Sequence, residues 1–237
     1  MGPGQIDEYR FARPAPQHGY CSPVAVPTLI FGGSFDPPHR RHVEVALEAA
    51  KALRCSRLVV VPSARSPLKE GAPRFPDPTR LAMASAAFDV PAMRDAGVTV
   101  LVEDVELRRG GTSFTVDTLR TLTGTLQLAQ GSTWLLVGSD QALQFAQWRD
   151  WGAILADLAQ LAVVARPPHR VETLGGELAR SVPGAPAGSI TVLPIEPVDL
   201  SSTVVRAALE SGQIPLDLLP PGVAALLSVH SVNRWGR

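Results

Sequence analysis

The chain has 237 residues, 45% hydrophobic and 19% charged, enough apolar material for a sizeable core and too much for a disordered protein. Lys+Arg and Asp+Glu each number 22, and this zero formal charge argues against a dedicated nucleic-acid binder, whose phosphate contacts need a basic excess. No apolar run nears the roughly 18 residues of a membrane span, the start lacks the apolar stretch of a secretory signal, and Cys21 and Cys55 fit neither a zinc spacing nor a disulfide framework; the cytoplasm is the expected location.

Residues 1–26 carry Pro3, Pro14, Pro16 and Pro23 among few aliphatics and read as a flexible leader to a domain spanning 27–237. Beyond Pro27 short apolar, β-branched runs alternate with helix-period stretches. The strands are expected at Thr28–Phe31, Leu58–Val61, Val98–Val102, Trp134–Val137, Leu161–Ala165 and Ile190–Leu193. The helices are expected over His39–Leu53, where Val43, Ala46, Ala50 and Leu53 share a face, then over Pro78–Phe88, Phe114–Leu122, Gln141–Leu155, Ser202–Ser211 and Gly222–Val229. Strands apolar throughout and separated by helices predict an α/β fold with a doubly wound, mostly parallel sheet covered on both faces. In such a sheet the ligand sits at the carboxyl ends of the strands.

The first strand runs into Gly32-Gly33-Ser34-Phe35-Asp36-Pro37-Pro38-His39-Arg40-Arg41-His42. Paired glycines permit a tight turn and close approach to a ligand, and the prolines set an extended entry to the helix. His39 and His42 fall at i and i+3 on one face of the first helical turn, where free N–H groups and partial positive charge suit phosphate. Either histidine alone reads as an ordinary helix-start residue; the whole string after a buried first strand does not. It is neither GxGxxG nor a Walker loop. Late in the chain, Ser201-Ser202-Thr203 opens a second helix with Arg206 one turn on, so cap, free N–H groups and guanidinium come together. Lys69, in the long loop after the second strand, is a candidate phosphate contact.

The string resembles the GG[ST]FDPPHxGH signature of Rossmann-like nucleotidyltransferases, and most closely the bacterial nicotinate mononucleotide adenylyltransferase family. Further blocks follow in order: Val61-Pro62 to Ser66-Pro67-Leu68-Lys69 is similar to VP…PPHK, Arg80 to Met83 to RxxM, and Glu106 to Leu119 to ELxRxGxSYTxDTL. Gly138-Ser139-Asp140 with Trp148 resembles GxD…W, Ala165-Arg166-Pro167 an RPG turn, and Leu200 to Arg206 ISSTxIR. Two departures weigh most: Arg41 replaces the glycine of HxGH, which in relatives lies close to the adenine, and Leu68 replaces the histidine of PPHK; Phe114 also replaces the tyrosine of SYT, removing one hydroxyl.

The resemblance implies attack by a mononucleotide phosphate on the α-phosphorus of ATP, with pyrophosphate leaving. The attacking oxygen is already ionised, so the site needs alignment and charge neutralisation rather than a base or a covalent intermediate. By that likeness His39, His42 and Arg206 are catalytic. Gly32, Gly33, Ser34, Phe35, Gly138, Asp140, Ser201, Ser202 and Thr203 join them in holding ATP. Lys69, Thr115, Trp148 and Arg166 serve the acceptor, with Trp148 stacked on the pyridine ring and Thr115 at its carboxylate. Mg²⁺ arrives with ATP rather than in a protein cage. The expected partners are ATP and nicotinate mononucleotide, with no nucleic acid and no membrane; a homo-oligomer is neither required nor excluded. Two alternatives stay open: the same chemistry on another acceptor, such as phosphopantetheine, and a nucleotide-binding protein weakened in catalysis by Arg41 and Leu68. His18, His169 and His230 lack partners at ligand spacing and read as structural or solvated.

Overall fold

The computed structural model describes residues 25–65, 67, 71–129 and 131–231, with side chains as far as Ser228 in the last helix. The expected leader, apart from Ala25 and Val26, and Lys69 with its neighbour Leu68 lie outside the described residues.

Six strands form one sheet: β1 (Thr28–Gly33), β2 (Arg57–Pro62), β3 (Thr99–Val102), β4 (Thr133–Gly138), β5 (Gln160–Val164) and β6 (Ile190–Val192). Their order is β3-β2-β1-β4-β5-β6 and every pairing is parallel, so the expected mostly parallel sheet is parallel throughout its described strands. The sheet is covered on both sides, as the strand sequences require. Leu29 and Phe31 of β1, Leu58 and Val60 of β2, and Ala162 and Val164 of β5 enter one core. Their alternates Ile30, Val59, Val61, Leu161 and Val163 enter the other. The first core is closed by α1 (Arg40–Ala52), α2 (Asp77–Phe88), α3 (Pro91–Asp95), and, further on, α9 and α10 defined below. The second is closed by α4 (Val105–Arg109), α5 (Thr115–Leu126), α6 (Ser139–Ala142), α7 (Trp151–Ala153) and α8 (Val171–Ser181). The chain then forms α9 (Ser202–Glu210) and α10 (Pro221–Ser231). No helix is long and apolar enough to cross a membrane among the described residues.

The helix expected over Gln141–Leu155 is broken. After α6 comes a 3₁₀ turn at Phe145–Gln147, Trp148 is extended (φ −73°, ψ 144°), and Asp150 is left-handed (φ 51°) before α7. The break lays Phe145, Trp148 and Trp151 on the second core, with Phe145 5.0 Å from Trp148 and 6.4 Å from Trp151 between ring centroids. Packing here overrides a helix-period pattern, and Asp is one of the few non-glycine residues that tolerate the left-handed turn. Conversely, α8 lies outside the expected helices and contains Gly175-Gly176, residues of low helix propensity. It forms because Leu174 and Leu178, one turn apart, are both buried. The short helices α3 and α4 were likewise unforeseen.

The β1–β4 boundary is where the chain reverses its direction of travel across the sheet. Helix α1 leaves β1 on one face, and the α6 segment leaves β4 on the other. The loops therefore part at the carboxyl edge and open a crevice between them.

Candidate active site

The loop leaving β1 is held from beneath. Phe35 takes a left-handed conformation (φ 45°) and its ring is buried against Gly33. A Cβ on Gly33 would come within 3.1–3.3 Å of that ring, so only glycine fits without a shift. The Asp36 carboxylate accepts the backbone N–H groups of Arg74 and Phe75, each at 2.9 Å. Fully buried Arg80 donates from Nη1 to the carbonyls of Ser34 (2.8 Å) and Ser63 (2.7 Å) and from Nη2 to Asp77 Oδ1 (2.6 Å). One guanidinium thus ties the loops after β1 and β2 to the first turn of α2.

His39 is the N-cap residue of α1 and His42 follows on its first turn, their rings stacked with centroids 3.7 Å apart. The His39 backbone N–H donates to His42 Nδ1 at 3.1 Å. An accepting Nδ1 puts the proton of the neutral His42 ring on Nε2, leaving that atom a donor. Phe35 packs edge-on to His42 at 5.2 Å and fixes its plane. His39 is buried, and Nδ1 lacks a hydrogen-bond partner among the described residues. Burial, with Arg166 nearby as a lesser cause, lowers its pKa from 6.5 to about 4, so the ring is neutral at physiological pH.

The start of α9 meets this loop. Ser202 Oγ donates to the Pro37 carbonyl at 2.9 Å. Arg206 Nη1 donates to the Asp36 carbonyl at 2.7 Å and lies 3.6 Å from its carboxylate, while Nη2 donates to Thr203 Oγ1 at 2.9 Å. The Ser201 side chain makes no capping bond. Two helix starts, α1 and α9, are therefore bound to the same four-residue stretch from opposite ends of the sequence.

At the tips of β4 and β5, Gly138 leaves room for two side chains. A Cβ there would fall 2.5 Å from Asp140 Oδ1 and 2.8 Å from Arg166 Nε. Arg166 Nη1 is 3.9 Å from Asp140 Oδ2, and the Arg166 backbone N–H donates to Ser139 Oγ at 3.0 Å. On the other face Thr115 opens α5, and Arg149 lies 5.0 Å over the Phe114 ring and 3.4 Å from Asp117. Below them Glu106 is buried with Oε1 accepting from Thr118 at 2.7 Å. Trp148 is half-buried with Nε1 unpartnered among the described residues.

A cleft of about 880 Å³ runs along the carboxyl edge of the sheet through all of these groups. It brings together Gly32, Gly33, Ser34, Phe35, His39, His42, Gly138, Asp140, Ser201, Ser202, Thr203 and Arg206, and with them Thr115, Trp148 and Arg166. Arg166, expected beside the acceptor, stands next to His39 and Asp140, two residues expected to hold ATP. Trp151 is half-buried, as Trp148 is. Among the described residues no three His, Cys, Asp or Glu side chains gather as a metal cage; Asp140 is a carboxylate on the cleft wall.

Residues 30–208 match the Cytidylyltransferase-like family. A probable nicotinate-nucleotide adenylyltransferase of Bordetella avium is 36% identical over 211 residues, covering 86% of this chain and 96% of that protein. The counterpart of Bordetella pertussis is 36% identical over 210 residues, with the same coverage. The chain belongs to the nicotinate-nucleotide adenylyltransferase family. The fold agrees: the nicotinic acid mononucleotide adenylyltransferase of Plasmodium falciparum, solved with NaAD, superposes with a TM-score of 0.65 at 16% identity, over 88% of this chain and 98% of that one.

Within this nicotinate-nucleotide adenylyltransferase family member, sequence reasoning gave no role to Asp36, Arg80, Glu106 or Arg149. A signal existed for Arg80, which shares the helical face of Met83, Ala84 and Ala87 and so is a charged residue on a buried stripe. His169, read as structural or solvated, pairs through Nδ1 with Glu177 Oε2 at 2.9 Å, away from the cleft. His18 and the His230 side chain lie outside the described residues.

Proposed function

We propose that the chain transfers the adenylyl group of ATP to nicotinate mononucleotide, releasing pyrophosphate and forming nicotinate adenine dinucleotide for NAD biosynthesis in the cytoplasm. The observation that carries this reading is the meeting of two helix starts at one point of the crevice. His39 and His42 come from α1, and Ser201–Thr203 with Arg206 from α9. An anionic triphosphate suits that point, and a nucleotide can extend from it onto each face of the sheet.

In this reading His42 Nε2–H donates to the α-phosphoryl oxygens, where charge grows as the acceptor phosphate approaches. The start of α9 and Arg206 take the β- and γ-phosphates that leave as pyrophosphate. Neutral His39 holds His42 in plane and donates without adding a fixed charge. Arg206, itself partly exposed, exchanges its contact with the buried Asp36 carboxylate for phosphate. Mg²⁺ carried on the phosphates would neutralise part of their charge. On the other face Trp148 offers a flat ring to the pyridine, and the open start of α5 at Thr115 suits its carboxylate. No group is required to take a proton.

The test is pyrophosphate release from ATP, Mg²⁺ and nicotinate mononucleotide. Activity is expected with that acceptor, weaker use of nicotinamide mononucleotide, and none of phosphopantetheine. Replacing His42 by Ala should lower kcat by about 10²-fold, the usual loss when a fixed donor to developing charge is removed. A wild-type rate in that variant would mean the phosphates bind elsewhere.

A further inference from the structure

Beside the cleft, at the carboxyl end of β5, lies a recess of about 30 Å³ walled by Val164, Ala165, Val198 and Leu200. That volume holds about one water and no purine. Arg41 also walls this recess, its side chain only 13% exposed. Its Nη1 lies 3.5 Å from Glu44 Oε2 and 3.3 Å from Glu48 Oε1, and its Nη2 donates to the Glu196 carbonyl. Glu196 belongs to the segment between β6 and α9, so the arginine ties α1 to the stretch that brings Leu200 and Ser201 to the cleft.

The recess shares Phe31, His39, His42, Gly138 and Arg166 with the main cleft. A ring seated in it would lie beside His39 and His42, against aliphatic side chains of the kind a heteroaromatic face prefers. We propose that Arg41 is a displaceable plug in the base subsite for ATP: it fills the slot between β5 and the 196–200 segment in the ligand-free chain, and the purine enters only as it swings out. This rests on the nucleotide reading of the cleft given above. The tethers are weak enough to yield, since both glutamates are half-exposed and such pairs are worth little in water.

The experiment measures binding of α,β-methylene-ATP by calorimetry without acceptor, alongside steady-state kinetics with ATP. Arg41→Gly and Arg41→Ala are expected to bind the analogue about fivefold to thirtyfold more tightly, the factor set by two exposed ion pairs and one charged hydrogen bond that no longer need breaking. The KM for ATP should fall in step, while kcat and the KM for the acceptor move less than twofold. Using Ala as well as Gly removes the helix-propensity cost of glycine as an explanation. Glu48→Gln, which loosens one tether and leaves the arginine, should give a smaller gain of the same sign. Equal or weaker binding of the analogue by Arg41→Ala would overturn the proposal and make the arginine an ATP contact. Tighter analogue binding without adenylyl transfer to nicotinate mononucleotide would uphold the plug and refute the proposed acceptor.

Discussion

Replacing Arg80 by Met should destabilise the protein by about 2–4 kcal/mol. The side chain has no exposure, and Nη1 is the donor to both Ser34 O and Ser63 O. Leaving a buried carbonyl unpaired costs about 1–3 kcal/mol. Both carbonyls are only part-buried, so water can relieve some of this, and the lower half of that range applies to each. Asp77 is half-exposed and loses little when its partner goes. Arg80 Nε already lacks a partner among the described residues, so an apolar replacement of similar length recovers part of the loss. For a chain of this size each kcal/mol moves Tm by about 2–4 °C, so a drop of about 5–15 °C follows. Urea unfolding followed by circular dichroism measures the change, and pyrophosphate release measured below the lowered Tm should also be reduced, because Ser34 lies in the loop proposed to hold phosphate. Arg80→Lys should fall between, since an ammonium reaches one carbonyl more readily than two. A loss below about 1 kcal/mol in Arg80→Met would show that the two loops hold each other without the guanidinium.

Gly138→Ala should abolish most activity with little change in Tm, because its Cβ meets the movable ends of Asp140 and Arg166 rather than backbone; kinetics and a thermal melt on the same sample check it. His39 is neutral when folded, with its pKa lowered from 6.5 to about 4, so the unfolded chain takes up the extra proton and stability declines as pH falls from 6.5 toward 4. Urea titrations should show about 2 kcal/mol lost from this group between pH 6.5 and 5, and His39→Asn should lack that component. At Gly175 an added Cβ meets nothing within 4 Å and φ is not positive, so Gly175→Ala should stabilise α8 by about 0.5–1 kcal/mol, seen as a higher urea midpoint at constant slope.

The sheet was legible because its strands are short, apolar and flanked by helical periods, and the crevice followed from the order of strands and helices. The two helix starts were legible because each is local: His39 with His42, and Ser201 with Arg206. What joins them is not local. Asp36 takes the N–H groups of Arg74 and Phe75, and Arg206 returns to the Asp36 carbonyl from far along the chain. No spacing rule encodes those pairings. Gly138 illustrates the same limit, since it reads as the end of a strand until Arg166 is seen filling the space its missing side chain leaves. The broken 141–155 segment failed for a different reason: a helical pattern and a chain folding back to bury Phe145, Trp148 and Trp151 place apolar residues at similar intervals. Helix α8, absent from the expected helices, forms because two buried leucines outweigh a propensity cost of about 1 kcal/mol per glycine at Gly175-Gly176.

A protein with no net charge can still hold a triphosphate if its arginines are lent to weak internal partners. Arg206 leans on Asp36, Arg166 on Asp140, and Arg149 on Asp117, each at 3.4–3.9 Å between charged atoms. The Arg166–Asp140 and Arg149–Asp117 pairs, long and largely exposed, contribute at most about 1 kcal/mol apiece, so a polyanion displaces them readily; the Arg206 pair, with Asp36 buried, is held more firmly. Yet they hold each guanidinium near its working position in the empty cleft and reduce the ordering cost on binding. Arg80 shows the contrasting use of the same side chain: short bonds of 2.6–2.8 Å, no exposure, and a structural role beneath the loop. Arg41 stands between the two, enclosed like Arg80 but tethered to exposed carboxylates like the cleft arginines. That intermediate state is what lets one residue block a subsite without sealing it.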